Sequence, residues 1–324
     1  MPDPSPVMPL TTPTAGTAQR PSWGELPTAV RSWVQDQLGS AVIEGRSQRS
    51  GYTPGFASRL TLADGSPAFV KIMGWGHDYL LPSYRNEGEK RRRLPAGLAA
   101  PRLRCSDEAR IAEQDWVLLI FDDIDGHPPR RPWDPDEARI AIETVEHNAD
   151  LLTPAPADYP WLSITDELGG LSPDKEEAID RLFGDHRSEL RELVGSFGEL
   201  CSGESLVHAD LRDDNMLIGS DGSGWVCDWS FPVLGRSFID LVTLLLSIRG
   251  DGLDADALLA ASPLLTPADA DGVDSLLADL MLYYVISAAK PGPDNSPYLR
   301  DHQRWNGKVA ARWLADRRGW DPDR

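Results

Sequence analysis

Leu206-Val-His-Ala-Asp-Leu-Arg-Asp-Asp-Asn-Met-Leu-Ile218 is the stretch from which the rest of the chain can be read. His208, Asp210 and Asn215 stand in the spacing H-x-D-x-x-x-x-N, with apolar residues on both sides. Thirteen residues after Asn215 comes Asp228, in Val226-Cys-Asp-Trp229. Short apolar runs at Ser205–Val207, Met216–Ile218 and Trp225–Cys227 predict brief strands. The first acid and the amide then lie in a loop between two strands, and the next strand delivers a second acid close by. An isolated Asp in a loop is ordinarily a turn former. Two acids and an amide brought together in this way suit phosphoryl transfer. One carboxylate orients the attacking hydroxyl and takes its proton, while an amide oxygen and the other carboxylate hold Mg²⁺ on nucleotide phosphates.

Upstream, Trp23–Leu38 predicts a helix that stops at Gly39. The period then shifts towards two. Strands are expected from Ala41–Ile43, over Phe56–Leu62 and over Ala68–Ile72, the last two joined by an Asp64-Gly65 turn. Pro82–Leu94 predicts a charged helix, and Pro101–Leu103 and Trp116–Phe121 two more strands. Together these make a small antiparallel sheet carrying one helix. The polar run Asp122-Asp-Ile-Asp-Gly126 suggests a hinge. Beyond it the pattern is mostly helical, over Pro135–Leu152, Pro173–Phe183, Ser188–Leu200, Ile239–Ile248, Ala255–Leu259, Asp269–Ala289 and Tyr298–Asp316.

Composition narrows the class. The chain has 324 residues, of which 51 are acidic and 32 basic, for a net charge of −19. A hydrophobic share of 41% with 11 Trp supports a packed core and excludes a largely disordered chain. The acidity argues against nucleic acid or an anionic membrane surface as the main partner. It is unevenly spread: Ser22–His127 carries about −1 and Pro128–Arg324 about −18. Cys105, Cys201 and Cys227 are too few and too scattered for a disulfide framework and fit a reducing compartment. No run approaches the ~18 apolar residues of a membrane span. Met1–Pro21, rich in Pro, Thr and Ala, lacks the features of a signal peptide and reads as a disordered tail. A cytoplasmic enzyme with no obligate protein partner is the expectation.

The Asp210–Asn215 loop with Asp228-Trp229 resembles the aminoglycoside phosphotransferase and choline kinase-like family of small-molecule kinases. The resemblance runs from about Trp23 to the C-terminal helices. It implies a two-lobed α+β fold like that of protein kinases, with a small antiparallel-sheet N-lobe and a mostly helical C-lobe. The implied division is a tail over 1–21, a nucleotide-binding lobe over 22–121, a hinge over 122–127, and a catalytic and substrate-binding lobe over 128–324. It makes Asp210 the catalytic base and Asn215 and Asp228 ligands of Mg²⁺. His208 becomes structural, holding the loop. Asp240 matches the family's Asp-Leu-Ala helix start, as an acid near a helix N-terminus that also braces the catalytic loop. Lys71, in Ala68-Phe-Val-Lys71, stands where the family's phosphate-binding Lys lies. The chain has only five Lys against 27 Arg, so a Lys on an apolar strand is unlike its surroundings. Glu87, sixteen residues on, would pair with it, with Glu89 the other candidate. Gly51 and Gly55, in Gly51-Tyr-Thr-Pro-Gly55, would cover the phosphates, or simply make a hairpin turn. The purine, of ATP or GTP, would lie against the backbone of Trp116–Gly126.

Three positions depart from the family pattern. Ala209 replaces the Gly of His-Gly-Asp. Arg212-Asp213-Asp214 replaces a His-Pro-Gly type of filler, and Arg212 either steadies the transferring phosphate or pairs with a neighbouring acid. Ser230 stands where many relatives carry another acid. The implied acceptor is a small-molecule hydroxyl. The acidic second lobe favours a cationic antibiotic of aminoglycoside type, with Asp251, Asp254, Asp294 and Asp301 as candidate contacts. The alternative acceptor is another small alcohol, such as a macrolide, a choline-like amine or a biosynthetic intermediate; Tyr283, Tyr284, Tyr298 and Trp305 would suit a choline-like cation or an apolar macrolide, or simply pack in the core. A nucleotide-binding module without turnover is the reading from another class.

Overall fold

The computed structural model describes residues 18–48, 51–74, 76–182 and 184–320. Its N-terminal part is a five-stranded antiparallel sheet: β1 (Val42–Ser47), β2 (Phe56–Leu62), β3 (Pro67–Met73), β4 (Leu103–Ile111) and β5 (Gln114–Phe121), in the order β1-β2-β3-β5-β4. The β2–β3 turn runs through Asp64-Gly65, where Gly65 takes φ 85° at no Cβ cost. One sheet face packs on α1 (Thr28–Leu38) through Val30, Val34, Leu60, Val70 and Leu118. The other packs on α2 (Leu81–Arg91) through Met73, Leu81, Tyr84 and Leu119. Lys71 stands in β3 between Ala57 of β2 and Leu119 of β5, so its side chain is fixed by the middle of the sheet.

One reading of this region needed extending. The strand expected at Pro101–Leu103 runs instead over Leu103–Ile111, because an edge strand with one wet face tolerates the polar sequence Arg104–Arg110. Its hairpin to β5 turns on Ala112 and Glu113, both at positive φ (52° and 63°). A two-residue turn of that kind normally advertises itself through Asn-Gly or Asp-Gly.

The linker is bonded on both sides. Arg59 of β2 grips the Asp123 carboxylate through Nε and Nη2, both at 2.8 Å, and donates to the Ile124 carbonyl at 2.9 Å. The chain then enters β6 (Gly126–His127), which pairs with β8 (Met216–Gly219), itself paired with β9 (Gly224–Val226). Nearby, β7 (Ser205–Val207) pairs with β10 (Val233–Gly235). These short pairs support the loops that carry Asp210, Asn215 and Asp228.

Around them lie α3 (Pro135–Leu151), α4 (Ile164–Glu167), α5 (Pro173–Leu182), α6 (Arg187–Gly195), α7 (Phe197–Cys201), α8 (Ile239–Gly250), α9 (Ala255–Ala261), α10 (Ala270–Ala289) and α11 (Leu299–Arg318). Asp134 caps α3, accepting from the Asp136 and Glu137 amides, with Pro135 at the first turn. Every residue of α8 is buried, as expected of a helix apolar on all sides. The helix expected over Ser188–Leu200 breaks at Ser196. Among the described residues no helix is long and apolar enough to cross a membrane.

Residues 1–17 of the expected tail lie outside the described residues. Ala18–Pro21, assigned to the same tail, are held in place. The Ala18 amide donates to the Gly51 carbonyl (3.2 Å), the Gln19 amide to the Asn295 carbonyl (2.9 Å), and Ser47 Oγ to the Pro21 carbonyl (3.2 Å). The strap Ala18–Arg20 therefore bridges the sheet half and the helical half.

Candidate active site

The loop after β7 is built around a buried histidine. The His208 ring meets Trp229 edge-on with centroids 4.9 Å apart. Its Nε2 lies 2.8 Å from the Cys227 carbonyl, and its Nδ1 accepts from the Asp210 amide at 3.3 Å. This network assigns the proton to Nε2 and ties the two acid-bearing segments together. Asp240, on the first turn of α8, accepts from the His208 amide (2.7 Å) and the Ala209 amide (2.9 Å). It makes no side-chain cap of α8, and both its carboxylate oxygens serve the loop after β7. Burial raises its pKa, and the two amides and His208 oppose that rise. Ala209 sits at φ 65°, the left-handed region, where the Gly of a His-Gly-Asp pattern would sit without strain. Asp228, at φ 62°, is strained in the same sense, as functional loops often are.

In the sheet half, Lys71 Nζ lies 2.5 Å from Glu87 Oε2 and 3.1 Å from Asp228 Oδ1. It stands 5.3 Å from the Tyr84 ring centroid. Burial alone would lower the Lys71 pKa, but Asp228 and Glu87 outweigh it and the ammonium is held charged. Burial pushes Glu87 up to about 7 against the pull of Lys71. Asp228 stays ionised: burial opposes this, but Lys71 and the Ser230 hydroxyl, 2.7 Å from Oδ1, prevail. Ser230 thus orients the acid instead of adding a third carboxylate. Glu89 is exposed and leaves Glu87 as the partner of Lys71. Arg91, at the end of the charged helix α2, turns inward and donates to the carbonyls of Ala100 and Pro101.

Asn215 Nδ2 donates to the Asp210 carbonyl at 2.8 Å, which fixes the rotamer and leaves Oδ1 as the free end. Asn215 and Asp228 line one cavity with Lys71, Glu87 and the linker residues Asp122–Ile124. Its lining includes Phe69, Phe121 and Leu217, apolar surfaces of the kind a planar base packs on. A second cavity adjoins it, lined by Asp210, Arg212, Tyr52, Tyr283, Tyr284 and His302. Asp210 is half-exposed at its edge. Arg212 hydrogen-bonds Asp210 through Nη1 and grips Asp214 through Nε (2.9 Å) and Nη2 (3.2 Å). The pairing reading of Arg212 is the one the geometry carries.

Gly51 lines both cavities, at φ 80°. Gly55 lines neither. A Cβ there would stand 2.5 Å from the Tyr84 hydroxyl and 2.9 Å from the Ile72 carbonyl, so its bareness serves packing under the loop. The four acids named as acceptor contacts also stay off the second cavity. Asp251 is buried against Arg131 at 2.5 Å, Asp254 caps α9, Asp301 pairs with Arg304, and Asp294 is exposed outside it.

Sequence reasoning missed Arg131, whose guanidinium joins Asp213 in the catalytic loop to Asp251 at the end of α8 and lies 5.1 Å from the Trp305 ring. It also missed Arg20, which lines both cavities. Neither carries a local signal: the partners of Arg131 are distant in the chain, and Arg20 reaches the cavities only through the fold.

No protein-family model matches the sequence, and no curated protein matches it either. Solved structures do match in fold. A structure of amicoumacin kinase with AMP-PNP, Ca²⁺ and its antibiotic superposes with TM-score 0.57 at 14% identity, over 83% of this chain and 88% of that one. A thermostable mutant of the aminoglycoside phosphotransferase APH(4)-Ia, with ADP and hygromycin B, gives 0.57 at 13% identity, over 89% and 99%. Spectinomycin phosphotransferase APH(9)-Ia gives 0.53 at 11%, over 90% and 99%. The chain has the protein-kinase-like fold of small-molecule phosphotransferases. That is the fold the Asp210–Asp228 resemblance implies.

Proposed function

We propose that this protein transfers the γ-phosphate of ATP, or of GTP, to a hydroxyl of a small molecule. The observation that carries the reading is the meeting of Lys71, Asn215 and Asp228 on one side of a cleft with Asp210 on the other. The fold of the phosphotransferases it superposes on supports the same reaction class.

Mg²⁺ fits the residues present. Asn215 Oδ1 and the Asp228 carboxylate are hard oxygen donors, and Asn215 is turned by its bond to the Asp210 carbonyl. Among the described residues no group of three or more His, Cys, Asp or Glu could hold a metal alone. A cation held by two protein oxygens and completed by phosphates and water is the usual state of Mg²⁺. When bound it would neutralise charge on the phosphates. Lys71, steadied by Glu87, would hold nucleotide phosphate oxygens. Asp210 would orient the acceptor hydroxyl and take its proton at the carboxylate oxygen not held by Arg212. Such a reaction depends mainly on positioning and charge neutralisation.

The acceptor belongs in the second cavity. Tyr52, Tyr283 and Tyr284 favour a body with an apolar or aromatic face, or a compact cation resting on the rings. A polycationic antibiotic of aminoglycoside type has less support, since Arg20, Lys71 and Arg212 oppose Asp210 and Asp228 there. A cytoplasmic setting is part of the proposal, consistent with three free cysteines. The test is transfer of label from γ-labelled ATP and GTP across a panel of tyrosine-cavity candidates, choline-like amines, macrolides and aminoglycosides, with Mg²⁺ and with EDTA. Label on at least one acceptor, lost with EDTA, is expected. Nucleotide binding with no transfer to any hydroxyl would favour the non-catalytic reading.

A further inference from the structure

Arg20 reaches the cleft from the N-terminal strap and finds no partner there. Among the described residues it makes no ion pair and no side-chain hydrogen bond, and its Nε is buried without an acceptor. A guanidinium offers five donors and cannot shed its charge, so a site that buries one calls for an anion. The acids nearest to it are already engaged. Asp228 is held by Lys71 and Ser230, and Asp214 by Arg212. Burial lowers the Arg20 pKa, and Tyr84, Asp228 and Asp214 restore only part of it. No described residue supplies the missing partner, which leaves that place to a bound anion.

The position says which kind of anion. Arg20 lines the nucleotide cavity together with Lys71, Asn215 and Asp228, and also lines the acceptor cavity together with Asp210 and Arg212. It stands on the boundary that a phosphate crosses between donor and acceptor. The backbone beside it is fixed at two points, by Ala18 to the Gly51 carbonyl and by Gln19 to the Asn295 carbonyl. Gly51 leaves room for it, since a Cβ there would come within 2.8 Å of Arg20 Nη2.

We propose that Arg20 is a phosphate-binding residue, carried into the cleft by the Ala18–Arg20 strap to hold the terminal phosphate of the nucleotide beside Lys71. The inference rests on the kinase reading. Arg suits the task because its planar fork can give two parallel bonds to one phosphate.

The experiment is titration of wild type, Arg20→Ala and Arg20→Lys with three ligands: a non-hydrolysable ATP analogue, ADP and adenosine, all with Mg²⁺. Thermal unfolding of the free proteins is followed alongside. Arg20→Ala should weaken the ATP analogue ~10-fold or more, weaken ADP less, and leave adenosine within about twofold. Arg20→Lys should recover part of the loss. Unchanged or tighter triphosphate binding in Arg20→Ala overturns the proposal, the latter because it marks Arg20 as a plug. Equal losses for adenosine and triphosphate also overturn it, since they mark a structural role. A wild-type protein that binds no nucleoside triphosphate sinks the kinase reading as well, whereas a binding wild type with an indifferent Arg20→Ala sinks this inference alone.

Discussion

Arg212 binds one carboxylate oxygen of Asp210 with Nη1 while its other two nitrogens hold Asp214. Of the two roles open to Arg212, pairing with neighbouring acids is the one made here, and under the proposed function that pairing aims the base. Arg212→Ala should therefore lower kcat ~10-fold or more through a mispositioned Asp210, with nucleotide affinity within about twofold of wild type. Comparing kcat with nucleotide Kd checks this. A loss concentrated in nucleotide affinity would make Arg212 a phosphate ligand instead.

Ala209 carries a Cβ in a left-handed backbone position, at φ 65°. Ala209→Gly should relieve that strain and stabilise the free protein by roughly 0.5–1 kcal/mol, net of the extra freedom Gly gives the unfolded chain. Denaturant or thermal unfolding of the two proteins measures it. A less stable glycine variant would mean that the Ala209 methyl packs well enough to outweigh the strain.

Glu87 titrates near 7 because burial raises it. It is charged above that pH and protonated below. As the pH falls through about 7, Lys71 loses one of its two carboxylate partners and nucleotide affinity should fall. Stability runs the other way. The folded state keeps a proton that the unfolded carboxyl releases above about 4.5, so this group subtracts stability as pH rises from 4.5 towards 7. Nucleotide titrations between pH 6 and 8 should show the acid limb in wild type and a flat profile in Glu87→Gln. The same limb in both proteins would assign it to another group.

Tyr283 lines the second cavity, the proposed acceptor site, and is 43% exposed, so shortening it disturbs little of the core. Tyr283→Ala should raise acceptor KM by ~5–10-fold, the value of a ring contact, and leave nucleotide affinity alone. The KM of an acceptor held by rings should also be nearly indifferent to KCl. A KM that climbs steeply with salt would bring back the polycationic acceptor.

Much of this site could be read in the sequence because its spacing is local. Five residues separate Asp210 from Asn215, and β8 and β9 return the chain to Asp228 within one hairpin. Lys71 was legible as a cation on an apolar strand, and Glu87 as an acid on the following helix. What stayed hidden depends on distant neighbours. Arg131 meets Asp213 and Asp251 across 82 and 120 residues. Arg20 meets the cleft only because the strap folds back over Gly51. The extent of β4 was obscured by its polar edge sequence and by an Ala112-Glu113 turn with no glycine. The uneven acidity suggested a cationic acceptor, yet its named acids serve ion pairs, a helix cap and the surface.

The central claim is that Asp210 performs the chemistry without holding the nucleotide. Its most direct test is Asp210→Asn, which keeps the size and a hydrogen-bond acceptor but removes the charge and basicity. Phosphate transfer to whichever acceptor the wild type uses is measured next to nucleotide Kd with Mg²⁺. The account predicts transfer down ~10²–10⁴-fold, with Kd within about threefold of wild type. An Asp210→Asn protein that still transfers phosphate at more than roughly a tenth of the wild-type rate would contradict it.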